Sequence, residues 1–346
     1  MPEGKGRILL ISTTIFPLPP QGYSGTEYLV HKLAEGLASK GWQVSVVAPE
    51  GSQLLDGIEL IPTPVGEAEE SAWQRYRARM EQGEWNVILD ASFQRWATMS
   101  SVGKDPELPI VNWLHTVPET YGSPPPLRYP MFVGISRSHA EHITHRLRVP
   151  ARWVYNGIDT DFYRSDGRPR GGRYLFMGRY TSEKGVLEAI LLAKRLKIGL
   201  DVYGDTNIIA DAGYLKRCQQ EADGYFVRTN PGVTRAATVE LYSQAHGLLN
   251  LHRWLEPLGL VPLEAMACGA VPICTKEGGP AETIIHGTTG FLVSDDYEAE
   301  ELIKRDAVRE INPEVMRRHV EENFSLPKFI ERWEFLLQRV LAGDRW

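Results

Sequence analysis

YNGIDTDFYRSDGRPRGGR, residues 155–173, is where the texture of this chain changes. Glycine, aspartate and arginine crowd it, a proline interrupts it, and no apolar period runs through it, so it reads as a linker. Upstream, short apolar runs alternate with helix-period segments. Arg7–Ser12 (RILLIS) predicts a strand, Glu27–Lys40 an amphipathic helix, and Gln43–Ala48 (QVSVVA) a strand closed by Pro49. Further strands are expected at Ile58–Ile61, Asn86–Leu89, Ile110–Leu114 and Met131–Ile135. Ser138-x-x-Glu141 predicts a capping box for the helix that follows. Downstream of the linker the alternation restarts. RYLFMG (173–178) and GLDVYG (199–204) read as strands, VLEAILLAKRL (186–196) and VELYSQA (239–245) as helices, and GLLNL, GAVPIC and GFLV as three more strands. Pro327–Leu341 predicts a closing helix with Phe329, Trp333, Leu336, Leu337 and Val340 on its apolar side. Strand–helix alternation is the pattern of a parallel, doubly wound α/β sheet. Its appearance twice predicts two Rossmann-like domains.

The whole-chain properties agree. A length of 346 residues suits two domains better than one core. A net charge of -6 argues against a nucleic-acid partner, which calls for a basic surface. Three cysteines, Cys218, Cys268 and Cys274, form no CxxC pair, so a reducing, cytoplasmic setting is expected rather than a disulfide framework. Lys5 and Arg7 precede an apolar run as in a signal peptide, but no A-x-A site follows, and a buried first strand is the expectation. No window reaches the roughly 18–20 apolar residues that cross a bilayer.

Three stretches could carry chemistry. FMGRYTSEKG (176–185) places Arg179 and Lys184 in a loop between a strand and a helix start. Two cations there can hold a diphosphate, because side-chain charge and helix dipole add; the plainer alternative is a βα loop with two solvated cations. PLPPQGYSGTEYL (17–29) sets two glycines in the first strand-to-helix turn, where backbone can approach a ligand or simply take positive φ. EPLGLVPLEAMACG (256–269) puts Glu256 in a loop, Gly259-Leu260 at a helix start and Glu264 on the first turns of that helix. The helix start could receive a phosphate, and a carboxylate can grasp a ribose diol. The same two acids could instead serve as the acid and base of a glycoside hydrolase, which need carboxylates about 5–10 Å apart.

Taken in order, these motifs resemble a retaining glycosyltransferase of family 4. The resemblance rests on Gly25 and Glu27 in the first loop, His115 after a strand, and V-x-N-G-I-D at Val154–Asp159. It continues through G-R-x-x-x-x-K-G at Gly178–Gly185, Glu256 and Glu264 eight positions apart, and GGPAETI…GTTGFLV near the end. It implies the GT-B fold, with two Rossmann-like doubly wound domains facing a central cleft. An acceptor-side domain would span 1–160 and a nucleotide-sugar domain 161–326, with the C-terminal helix of 327–346 packing back on the first. It implies that Arg179 and Lys184 hold the donor diphosphate, with Gly25, Gly178, Gly259 and Leu260 approaching the phosphates. Glu264 would hold the ribose, Glu256 the donor sugar, and His115 the sugar and acceptor side. The donor would be a UDP- or GDP-hexose, and the acceptor a sugar, lipid-linked sugar or small molecule, with no metal or other cofactor. Two positions depart from the family pattern. Ser24-Gly25 stands where a Gly-Gly pair is usual, and NLHRWLEP replaces a small Pro-Ser pair before the first glutamate.

Several features have plainer readings. Asp159-Thr160-Asp161 imitates a metal-binding D-x-D, but its place in the linker predicts a structural role. His139, His142 and His145 drift about 120° around a helix and suit a polar face better than one metal ion. Arg137, Arg146, Arg148 and Arg152 leave a thin case for peripheral contact with anionic lipid. Alternatives to transfer are a nucleotide-sugar epimerase or hydrolase on the same plan, or a non-catalytic nucleotide-sugar binder.

Overall fold

The computed structural model describes residues 5–22, 24–100, 108–117, 130–165, 167, 170–204 and 211–346. The chain divides into two compact units, one comprising Met1–Gly157 with Leu326–Trp346, the other Ile158–Ser325.

The first unit runs β1 (Arg7–Ile11), α1 (Gly25–Ser39), β2 (Gln43–Pro49), β3 (Glu59–Thr63), α2 (Glu69–Gln82), β4 (Val87–Asp90), α3 (Trp96–Met99), β5 (Ile110–Trp113), β6 (Phe132–Gly134), α4 (Arg137–Leu147) and β7 (Ala151–Trp153). Its strands form one parallel sheet in the order β3-β2-β1-β4-β5-β6-β7. Ile8 pairs with Val44 on one side and Val87 on the other. Leu9, Ile11, Val47 and Ile88 pack against Trp73, Tyr76 and Met80 of α2. The near-continuous apolar strands fit a sheet covered on both faces.

The second unit runs β8 (Arg173–Met177), α5 (Val186–Leu196), β9 (Gly199–Gly204), α6 (Ala212–Glu221), β10 (Val227–Pro231), α7 (Arg235–Gln244), β11 (Gly247–Asn250), α8 (Leu260–Ala267), β12 (Val271–Thr275), α9 (Pro280–Thr283), β13 (Phe291–Val293), α10 (Asp296–Lys304) and α11 (Pro313–Phe324). Its parallel sheet has the order β10-β9-β8-β11-β12-β13. β11 and β12 are buried throughout, and α8 packs between them and helices α7 and α11. Pro262 sits in the first turn of α8, where a missing N–H breaks no helical hydrogen bond.

The last helix, α12 (Leu326–Leu341), belongs to the first unit and packs on α1 and β4. Gly36 of α1 permits the approach, since a Cβ there would lie 2.3 Å from the Ile330 side chain. Trp333 and Phe329 stack near Trp113, with centroids 5.0 Å and 5.7 Å away.

Three sequence expectations need correction. The cap of α4 is Ser136, not Ser138: its Oγ accepts the His139 N–H, and the helix has begun by Arg137. His139 is not part of a polar face. It is fully buried, its Nδ1 accepts the Ile135 N–H, and Nε2 therefore carries the proton donated to the Thr116 carbonyl. The linker is partly core, because Ile158 and Tyr163 are buried in the second unit.

Candidate active site

In the second sheet the strand order reverses between β8 and β11, and ligand crevices in open α/β sheets form at such switch points beyond the carboxyl ends of the strands. The loops leaving these two strands carry Gly178, Arg179 and Lys184 from β8, and His252, Trp254, Glu256 and Gly259 from β11. Glycine lets the loops lock together. At Gly185 φ is +72°, and a Cβ there would fall 1.8 Å from the Leu251 carbonyl oxygen. The Arg253 N–H then donates to the Glu183 carbonyl at 2.8 Å. A third segment closes on the second: Glu256 bridges Gly278, and the Gly279 N–H donates to the Glu256 carbonyl at 2.8 Å. A Cβ on Gly278 would lie 2.2 Å from that same oxygen.

This packing gathers Lys184 and Glu256. Lys184 Nζ donates to Glu256 Oε2 at 2.7 Å, and the Trp254 indole N–H donates to the same oxygen at 2.9 Å. Nζ also stands 4.6 Å from the Trp254 ring centroid, within cation–π range. Burial by itself would raise the Glu256 carboxyl; the adjoining Lys184 charge and hydrogen bond, with help from His252 and the Trp254 N–H, hold it below the ordinary value. His252 is fully buried and donates from Nδ1 to the Trp254 carbonyl, and burial pushes its pKa down. Arg179 faces Glu183, with Nη2 3.5 Å from Oε1, and the Thr181 hydroxyl donates to that oxygen at 2.7 Å. Each loop cation thus already faces a carboxylate.

Gly259, at φ +84°, caps α8, and Leu260 is its first residue. Glu264 follows on the helix, buried, with Oε2 accepting the Tyr242 hydroxyl at 3.0 Å. Glu256 and Glu264 therefore have separate partners, and the depressed Glu256 carboxyl is ill suited to donate a proton as a glycosidase acid must.

Gly25, Glu27 and His115 lie in the first unit. Gly25 opens α1 after Ser24, and buried Glu27 accepts hydrogen bonds from the Thr13 and Ser24 hydroxyls. His115 follows β5 with its ring centroid 4.3 Å from that of Trp113. Burial, with His139 adding a smaller push, lowers its pKa to about 3, so the imidazole is neutral. Asp159 Oδ1 accepts the N–H groups of Asp161 and Phe162 and closes a turn. Among the described residues no cluster of three or more His, Cys, Asp or Glu could hold a metal ion, and no helix is long and apolar enough to cross a membrane.

Sequence reasoning missed Trp254, Tyr242 and Glu183. Each lies inside a quoted motif or next to one, but its role depends on a partner 2 to 22 positions away that only folding brings into reach. The Gly278-Gly279 pair was visible as a motif without its reason.

The family model for Glycosyltransferase Family 4 matches residues 23–162, and that for Glycosyl transferases group 1 matches residues 163–323. The chain belongs to glycosyltransferase family 4. It is 38% identical over 96 residues to an N-acetyl-alpha-D-glucosaminyl L-malate synthase of Bacillus anthracis, a match covering 26% of this chain and 25% of that protein. The chain thus spans about a quarter of the length of that relative. The fold is GT-B. AviGT4, a glycosyltransferase involved in avilamycin A biosynthesis, superposes with a TM-score of 0.74 at 21% identity, covering 99% of each chain. HepE of Anabaena in complex with UDP-glucose superposes with a TM-score of 0.73 at 16% identity, covering 96% of this chain and 100% of that one.

Proposed function

We propose that this family member is a retaining glycosyltransferase that moves a hexose from a UDP- or GDP-sugar to an acceptor hydroxyl. The observation that carries the reading is the placing of Arg179 and Lys184 on one loop at the switch point, locked by Gly185 against the loop that bears Glu256. The donor diphosphate would take the place of Glu183 and Glu256 as counter-ion to these cations, with Gly178 and the α8 start at Gly259-Leu260 adding backbone N–H groups. Glu264 would accept from the ribose and Glu256 from a sugar hydroxyl. The neutral His115 of the first unit would serve the sugar and acceptor side by hydrogen bonding rather than by charge, and Gly25 the phosphates. The UDP-glucose bound by HepE supports a nucleotide-sugar donor.

In the reaction, the bond from the anomeric carbon to the phosphate oxygen breaks and the acceptor oxygen bonds to the same face of that carbon. The acceptor proton passes to an oxygen of the departing nucleoside diphosphate. Arg179 and Lys184 stabilise the negative charge that grows on this leaving group, work that needs no divalent metal or other cofactor. Cytoplasmic action is part of the proposal and suits three cysteines that are all buried and form no CxxC pair.

Substituting Arg179→Ala or Lys184→Ala should lower turnover about 10²–10³-fold, as for other lost charge-stabilising groups. The assay is release of nucleoside diphosphate from a panel of UDP- and GDP-sugars, with circular dichroism as the check on folding. Near-normal turnover in both variants would sink the diphosphate assignment.

A further inference from the structure

Trp254 lies in the loop between β11 and Glu256, and it contacts both partners of the central ion pair. Its indole N–H donates to Glu256 Oε2, its ring stands beside Lys184 Nζ, and the side chain is itself only half-buried. Oε2 thus receives two donors, while Glu256 Oε1 accepts from no described residue. The loop carrying Trp254 is fixed on both sides, by Arg253 N–H to Glu183 and by the Glu256–Gly278 bridge.

We propose that Trp254 is a positioning residue of the donor site: its N–H fixes the Glu256 carboxylate so that one oxygen, Oε1, meets a hydroxyl of the donor sugar, while its ring holds Lys184 beside the diphosphate. The inference rests on the donor-site reading above. It assigns two separable jobs to one side chain. When Lys184 turns to a diphosphate, the indole N–H is what remains to hold Oε2, so Glu256 keeps its orientation. The exposed part of the ring offers an apolar wall to the sugar.

Among the described residues, the charged and titratable groups around Glu256 are Lys184 from the β8 loop, His252 from its own loop and Cys274 from β12. Burial pushes the Cys274 thiol up and the His252 imidazole down, while the Glu256 carboxylate pulls the imidazole back towards its charged form. The Trp254 hydrogen bond is one of the contributions that lower the Glu256 carboxyl.

The test is calorimetric titration of wild type, Trp254→Phe and Glu256→Gln with UDP, GDP, UDP-glucose and GDP-mannose between pH 3 and pH 8. Wild type should bind a nucleotide sugar more tightly than its nucleoside diphosphate, and that increment should fade at acid pH as Glu256 protonates. Glu256→Gln should abolish the increment and its pH dependence. Trp254→Phe keeps the ring and loses the N–H. It should bind the nucleoside diphosphate within about twofold of wild type, which also shows that it folds. Its sugar increment should fall about tenfold, the scale of one hydrogen bond to a charged group, and should fade at a higher pH than in wild type. Wild-type behaviour of Trp254→Phe in both ligands, or equal loss of both, overturns the role given to Trp254. A wild type that binds neither nucleoside diphosphate overturns the donor-site reading itself.

Discussion

Asp90 ends β4 of the first sheet and Glu256 lies just past β11 of the second, so both are buried carboxyls at the carboxyl edge of a parallel sheet. Their chemistry runs in opposite directions. Asp90 Oδ1 accepts the Ser92 N–H at 2.9 Å and the Ser92 hydroxyl at 2.6 Å, whereas Oδ2 has no partner among the described residues. Burial pushes its pKa up to about 7, against which the Ser92 hydrogen bonds do too little. Glu256 is buried as well, but Lys184 in contact and the Trp254 N–H turn the direction downward. Desolvation acts on both carboxyls, and a cation in contact decides which one stays ionised. A carboxyl that titrates near neutrality in the first unit and a clamped anion in the second come from the same strand-end geometry.

Removing the cation should make the second site behave like the first. Lys184→Met leaves Glu256 buried without its counter-charge, which should cost about 3–5 kcal/mol in urea unfolding at pH 8. Adding Glu256→Gln to that variant should recover much of the loss; if it does not, lost packing rather than unpaired charge is the cause.

Asp90→Asn should act with the opposite sign. The folded-state value of about 7 lies above the ordinary 3.8, so the native state holds a proton that the unfolded chain has released between those values. Stability from this group is therefore full below about pH 4, falls as pH rises towards 7, and stays low above it. Removing the charge should raise stability at pH 8 by up to roughly 4 kcal/mol and flatten the profile between pH 4 and pH 7. An unchanged slope across that window would show that Asp90 ionises freely.

The smallest effect belongs to Ser92→Ala. It removes the hydroxyl bond to Oδ1 and keeps the backbone one, so about 1 kcal/mol should be lost at pH 8. The pH at which the stability profile levels should move upward, and thermal unfolding across pH 5–9 would resolve the change.

Much of this was legible in advance where a local rule applies. The alternation of apolar runs with helix-period segments announced both parallel sheets, because strand and helix impose different periods on the side chains that must face a core. Gly259 before LVPLEAMA announced the start of α8, since few other residues accept φ of +84°. Arg179, Lys184, Glu256 and Glu264 could be singled out by type and spacing. The cap of α4 was misread because Ser136 and Ser138 are chemically alike and only backbone geometry separates them. His139 was misread because a polar side chain in a helix looks solvated until the Ile135 N–H and the Thr116 carbonyl are found beside it.

The sequence by itself determined the order of elements, the two sheets and the residue types at the strand ends, because each follows from neighbours a few positions apart. The tertiary structure alone decided which charges meet. Lys184 and Glu256 are 72 positions apart, and Gly185 against Leu251 and Gly278 against Glu256 bring their loops within contact. The electrostatic energy of a buried carboxyl depends on distances of a few ångströms to its partners, and no period or motif encodes those distances.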